Sequence, residues 1–300
     1  MRGQGLLLVS KPAKKANGQS NERVASKAKK RREAVIEFIR SAKHSLLLSV
    51  FRCDDLSVLH ELGEAVARGV RVEALMTGRA KGWGKRLGPL AGCLSRMGVV
   101  IHQLPSAAPK YHAKYMVADE SKALVATLNL TRKCFRRTRD FVFTSDDSDI
   151  VTGLVELFQC DAGRLSNPEP KSDRLIIGPG SSRARIEALL RGATRSIRIM
   201  DHKLSDPAVL AIIRDRQRNG VSVEIQRGLP GDPLLPHGRL IVIDHATAVF
   251  GSFSLSARSL DGRRELAVVI QAPALVAKLN RQFDRISAPV EARKEKEQAA

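Results

Sequence analysis

Three hundred residues with 43% apolar content can bury one large core or two moderate ones, which excludes a disordered chain. Lys and Arg number 51 against 31 Asp and Glu, a net charge of +20 that calls for a polyanionic partner, either nucleic acid or an anionic membrane face. The four cysteines, Cys53, Cys93, Cys134 and Cys160, form no CxxC or Cys/His cluster, so they read as reduced core thiols, and neither a metal nor another cofactor is expected.

Residues 1–31 read as a basic, flexible N-terminal segment, with Lys11, Lys14, Lys15, Lys27, Lys29, Lys30 and Arg31, and Arg32 directly after. Its apolar run Leu6–Val9 is too short for a secretory core or a membrane span, so a cytoplasmic protein is expected, peripheral at a membrane at most. Beyond it the chain repeats itself. Ser45–Val50 and Ser196–Asp201 are strand-like runs, followed by helix-like stretches at Leu56–Arg68 and Asp206–Asn219. Gly69–Glu73 and Gly220–Glu224 then read as strands, and the offset between the copies is 151 residues throughout.

The copies then diverge. The first carries an insertion with a predicted helix over Gly84–Met97 and a strand over Val99–Leu104, where the second has only a Gly/Pro-rich loop, Gly228–Pro236. Each continues with two β-branched runs joined by a short acidic turn, Tyr115–Ala118 with Ala123–Thr127, and Leu240–Ile243 with Thr247–Gly251. Helices are predicted near Asp149–Cys160 and Pro273–Ile286. The expected fold is α/β: two tandem α/β/α sandwich halves, 32–161 and 174–289, joined by a linker at 162–173 and followed by a charged tail at 290–300. Side by side they form a pseudo-twofold pseudo-dimer that works as a monomer, with one site at the seam.

The chemistry sits at matched places in the two halves. His112, Lys114 and Asp119 recur as His237, Arg239 and Asp244. Thr127 and Asn129 are matched by Ser252 and Ser254, and eleven residues beyond them come Asp140 and Glu265. A single His-x-base-x4-acid string is weak evidence, but the same five-part spacing twice in one chain is strong. Residues two apart on a strand share a face, so His112 and Lys114 should be neighbours, with Thr127 and Asn129 reaching them from the adjacent strand. Two imidazoles, two cations and several neutral donors would then surround one phosphate. Asp140 and Glu265 fit as acceptors that orient an imidazole, while Asp119 and Asp244, at strand ends, read as structural. His44, His60, His102, His202 and His245 read as ordinary histidines.

These motifs resemble those of the phospholipase D superfamily, His-x-Lys-x4-Asp-x6-Gly-Ser-x-Asn with a further acid downstream, over about residues 32 to 288. The resemblance implies a phosphodiesterase or phosphatidyltransferase that works through a covalent phosphohistidine, with His112 as nucleophile and His237 as general acid. Arg239 departs from the pattern's Lys and Ser254 from its Asn, Ala126 and Thr127 stand for Gly and Ser, and Asp140 is shorter than Glu. The substrate expected is a phospholipid, with an anionic membrane surface as partner. A metal-independent endonuclease is the alternative and a weakened polyanion-binding protein the third reading. One Trp, two Tyr and nine Phe supply few stacking platforms for bases.

Overall fold

The computed structural model describes residues 20–104, 109–163, 172–228 and 232–287. The run Leu6–Val9, most of the linker and the tail at 290–300 lie outside them. In chain order the first half comprises β1 (Arg23–Ala25), α1 (Ala28–Ser41), β2 (Ser45–Val50), α2 (Leu56–Ala67), β3 (Arg71–Met76), α3 (Gly84–Arg96), β4 (Val100–Gln103), β5 (Lys110–Tyr111), β6 (Tyr115–Ala118), β7 (Lys122–Ala126), α4 (Arg132–Arg137), β8 (Thr138–Arg139), β9 (Val142–Ser145) and α5 (Ser148–Asp161). The second half comprises β10 (Leu175–Ile177), α6 (Ser182–Arg191), β11 (Ser196–Met200), α7 (Pro207–Arg218), β12 (Ser222–Gln226), β13 (Leu235–Pro236), β14 (Leu240–Ile243), β15 (Thr247–Gly251), α8 (Ala257–Gly262), β16 (Arg263–Arg264), β17 (Leu266–Ile270) and α9 (Pro273–Ser287).

Each half is a mixed sheet, ordered β1-β9-β7-β6-β2-β3-β4 in the first and β10-β17-β15-β14-β11-β12 in the second. The orders match strand for strand except for the edge strand β4, which the insertion supplies. Matched contacts repeat the duplication in side-chain detail. Asp55 caps α2 and accepts from Arg32, while Asp206 caps α7 and accepts from Arg183. Gly69 and Gly220 end the two helices at φ 86° and 85°, a left-handed backbone that favours glycine.

Side-chain alternation builds three apolar layers. Tyr115, Val117, Leu240 and Val242 face an inner core shared by both sheets, α5 and α9. Met116 and Ala118 face outward under α1 and α2, and Ile241 and Ile243 under α6 and α7. Phe250 meets Phe141 and Phe143 across the seam at centroid distances of 5.7 and 6.2 Å. One core thus joins the halves into a pseudo-dimer.

The basic stretch expected to be a flexible segment up to residue 31 is folded from residue 20 onward. β1 adds an antiparallel edge strand to β9, and α1 begins at Ala28. Arg31 is 1% exposed, its guanidinium spent on four main-chain carbonyls, those of Cys134, Phe135, Thr138 and Asp140. Its two terminal nitrogens are thereby satisfied, while Nε is buried without a hydrogen-bond partner and burial pushes the pKa of the guanidinium down.

Candidate active site

Two short ladders cross the seam and carry the histidines with them. β5 pairs with β16 of the second half, and β13 pairs with β8 of the first. Main-chain N–H groups of His112 and Ala113 both donate to Arg264 O, at 2.8 and 3.0 Å. Gly238 N donates to Arg139 O at 2.6 Å, and a Cβ at Gly238 would meet that same oxygen at 2.6 Å, so the close approach needs glycine. His112–Lys114 and His237–Arg239 therefore lie in bridges between strands. The expectation that His112 and Lys114 share a face by strand geometry is corrected, because the chain changes ladder partners between them.

The crossing brings each histidine to the acid of the opposite half. His112 Nδ1 donates to Glu265 Oε2 at 2.8 Å, and His237 Nδ1 donates to Asp140 Oδ1 at 2.8 Å. Both carboxylates are fully buried. Burial alone would raise the Glu265 carboxyl, but the imidazole of His112, the bond between them and Lys114 outweigh it and hold the group well below the usual carboxylate range. Burial likewise favours a rise at Asp140, but His237, Thr127 and Thr138 overcome it, and this carboxyl too is held low. Burial and the neighbouring Lys114 push His112 down from its ordinary 6.5. An ionised acceptor on Nδ1 and a neutral ring leave Nε2 of His112 as a free lone pair.

Lys114 is 5% exposed and donates to His112 O at 2.7 Å. Burial pushes its ammonium down from 10.5 to about 7, against the pull of Glu265 and with the push of Arg239. Arg239 makes the matched bond to His237 O at 3.2 Å, and its Nε is buried without a hydrogen-bond partner, 3.9 Å from Asp201 Oδ1. Asn129 lines the cleft beside His237 with a buried, unpartnered Oδ1. Its counterpart Ser254 is spent on Ser256 at 3.1 Å.

Thr127 and Ser252 do not face a phosphate as expected. Thr127 donates to Asp140 Oδ1 at 2.6 Å and accepts from Phe141 N, and Ser252 is shared between Leu266 N and O. Both are buried behind the acids, so they fix the orienting carboxylates. Asp119 and Asp244 serve as structural turn anchors. Asp119 accepts from the main-chain N–H groups of Lys43, His44 and Ser45, and Asp244 from those of Thr194, Arg195 and Ser196. Each begins a two-residue positive-φ hairpin turn, with Glu120 and His245 second.

Several site residues carried no signal in isolation. His202, read as an ordinary histidine, lines the cleft with His237, and burial and Arg239 push it down to about 4. The 151-residue offset maps it onto Phe51, whose ring meets His112 edge-on at 4.9 Å. Ser259 donates to Glu265 Oε1, while Cys134 occupies the matched place beside Asp140. Cys134, Asp140 and His237 offer donor atoms within 4.8 Å of one another, a grouping that could hold a metal ion. An ion there would have to replace the bonds that Asp140 already makes to His237 and Thr127.

The family profile of the cardiolipin synthase, PLD-like domain matches residues 35–162 and 184–287, which hold both motifs. The chain belongs to the phospholipase D superfamily. Among solved phospholipase D-like folds it resembles the polyphosphate kinase of Porphyromonas gingivalis, with a TM-score of 0.72 and 20% identity over 89% of this chain and 46% of that one. It also resembles the phosphatidylserine synthase of Haemophilus influenzae Rd KW20, with a TM-score of 0.67 and 12% identity over 87% of this chain and 85% of that one. A polyphosphate kinase of Mycolicibacterium gilvum (strain PYR-GCK) is 28% identical over 195 residues, 55% of this chain. The chain spans about a quarter of that relative, 26% of its length. Among the described residues no helix is long and apolar enough to cross a membrane.

Proposed function

We infer that this phospholipase D superfamily member is a phosphodiesterase acting through a covalent phosphohistidine, and the observation that carries the reading is the crossed pair of His–carboxylate bonds. Nε2 of His112 attacks phosphorus and the bond to the leaving oxygen breaks, while His237, protonated on Nε2, gives that oxygen its proton. Water then loses a proton to His237 as its oxygen bonds to phosphorus, and the P–N bond breaks to return neutral His112. Lys114 and Arg239 offset charge on the non-bridging oxygens, and Asn129 offers an amide edge to the same group. Glu265 and Asp140 hold the tautomers, and an alcohol in place of water would give transfer instead of hydrolysis.

A phospholipid substrate is supported by Leu235, 47% exposed, and Pro236 beside His237, where an acyl glycerol could lie. A nucleic-acid substrate is supported by Arg52, Arg86 and Lys133, which line the same pocket. The test incubates purified protein with phosphatidylglycerol vesicles and with plasmid DNA in the presence of chelator, beside His112→Ala. Turnover of either substrate that disappears in the variant is expected, and turnover of neither overturns the reading. Acid-labile phosphate trapped on position 237 instead of 112 would reverse the two roles.

A further inference from the structure

The two ladders that lead into the histidines are copies of one another in geometry and differ in charge at one matched pair. In one, Lys110 pairs with Arg263, and in the other Leu235 pairs with Thr138. These residues match position for position in the duplication. The His112 entrance therefore holds two cations where the His237 entrance holds an exposed leucine and a buried threonine.

Both cations neighbour groups that pack on the His112 imidazole. Arg263 Nη1 lies 3.8 Å from Glu265 Oε1, on the acid that grips His112. Lys110 Nζ lies 6.0 Å from the centre of the Phe51 ring, which packs against His112. Arg52, just beyond β2, shares the Phe51 ring with Lys110, its guanidinium 5.0 Å from the ring centre, and its matched residue beyond β11 is Lys203, whose charge also acts on Lys110. Burial first, and then the charges of Arg263, Arg258, Arg52 and Lys203, hold the Lys110 ammonium down.

These charges have little to balance them. Among the described residues Lys110, Arg52 and Lys203 make no ion pair, and Nε of both Arg52 and Arg263 is buried without a hydrogen-bond partner. Like charges packed together at half-buried positions oppose folding, so the cluster gains its counter-charge only when an anion enters. Lys114 and Arg239 already serve the phosphate under attack. The outer cations exceed what one phosphodiester needs.

We propose that Lys110, Arg263 and Lys203 form a subsite for a second phosphate of the substrate, on the His112 side of the scissile phosphorus. The substrate is then a chain of anionic phosphates, organic or inorganic, entering a site whose opposite side is the pocket of Trp83, Leu235 and Pro236, which also carries Arg86 and Lys133. The phosphohistidine reading supplies only the direction, since it makes the His112 side the one that keeps the phosphoryl group.

Binding in an inactive background tests the subsite separately from turnover. The His112→Ala protein is titrated with fluorescein-labelled oligothymidylate and with long-chain inorganic polyphosphate, and compared with the same protein carrying Lys110→Ala, Lys203→Ala or, as a control, Lys29→Ala, a side chain 89% exposed on α1. Each of the first two should weaken binding of at least one chain about tenfold and lower the slope of log Kd against log salt by about one, while the control moves neither. The arm that responds identifies the source of the phosphates. Unchanged affinity and slope in both arms, or no binding of either chain, overturns the subsite. So does an equal loss of affinity for bis(p-nitrophenyl) phosphate, which has no second phosphate. Chain binding with no turnover by the unmutated protein would instead sink the phosphohistidine reading and leave the subsite standing.

Discussion

Replacing Lys114 with methionine should lower activity sharply and stabilise the fold, because the ammonium is held where the fold resists its charge. The unfolded lysine titrates near 10.5 and the folded one near 7. Between those values the unfolded chain binds the extra proton, so stability rises with pH across that window and is lowest at its acid end. At pH 7 the difference corresponds to about 4 kcal/mol against folding, at roughly 1.4 kcal/mol for each tenfold change in proton affinity. Methionine removes that cost and keeps the apolar stem, but it leaves His112 O without its donor, a loss of about 1–3 kcal/mol. The net expectation is about 2 kcal/mol of added stability at pH 7, roughly 4 °C in Tm. By pH 9.5 the cost in the unmutated protein shrinks to about 1 kcal/mol, so the advantage should vanish or reverse. Thermal unfolding followed by circular dichroism at the two pH values reads this directly. Hydrolysis of bis(p-nitrophenyl) phosphate should fall about 10²- to 10³-fold in the variant. A variant less stable at pH 7, or a gap that does not change with pH, would refute the argument that burial of this charge strains the fold.

In the unmutated protein kcat/KM should fall as pH rises through about 7, where the Lys114 ammonium loses its proton, and a flat profile from pH 6 to 9 would show that its charge is not used. Glu265→Gln should slow formation of the phosphohistidine by about 10²- to 10⁴-fold, because an amide can present an N–H to His112 Nδ1 and force the wrong tautomer. Asp140→Asn should cost as much with an alkoxide leaving group and far less with p-nitrophenolate, which departs without a proton; equal losses would remove His237 from the acid role. Arg31→Met leaves four main-chain carbonyls without their donor and should destabilise by about 3 kcal/mol in urea unfolding. Gly251→Ala would place a Cβ 2.1 Å from Leu266 O and push β15 from β17, at about 2–4 kcal/mol, so an unchanged unfolding midpoint would be decisive against that geometry.

The duplication was legible because its signals are local and repeat at fixed spacing. Strand runs at Ser45 and Ser196, glycines at 69 and 220, and the insertion before His112 all follow from apolar periodicity and turn chemistry, which the structure places within a residue or two. Arg31 gives no such signal because a lysine- and arginine-rich run looks solvated, and only the fold reveals that this one guanidinium points at the α4–β8 turn. The spacing of Thr127 and Ser252 from the histidines suits a place at the phosphate, yet both hydroxyls lie behind the acids. Spacing alone cannot tell a side chain that faces the substrate from one that holds the acid behind it.

The crossing of the acids is the part no linear reading could supply, and it decides how the two halves depend on one another. Each histidine motif could be complete within its own half, with Asp140 serving His112. Instead β5 and β13 each cross to the opposite half, and each imidazole takes its partner there. A change in one half therefore reaches the chemistry of the other. The shorter Asp140 acts on His237, and the longer Glu265 acts on His112, with Ser259 and Arg263 behind it. The two copies are free to diverge in charge at Lys110 and Leu235 because those positions flank the swapped pairs without belonging to them. The ladder into His112 is thus flanked by Lys110 and Arg263, and the ladder into His237 by Leu235 and Thr138, so the two imidazoles stand in unequal surroundings.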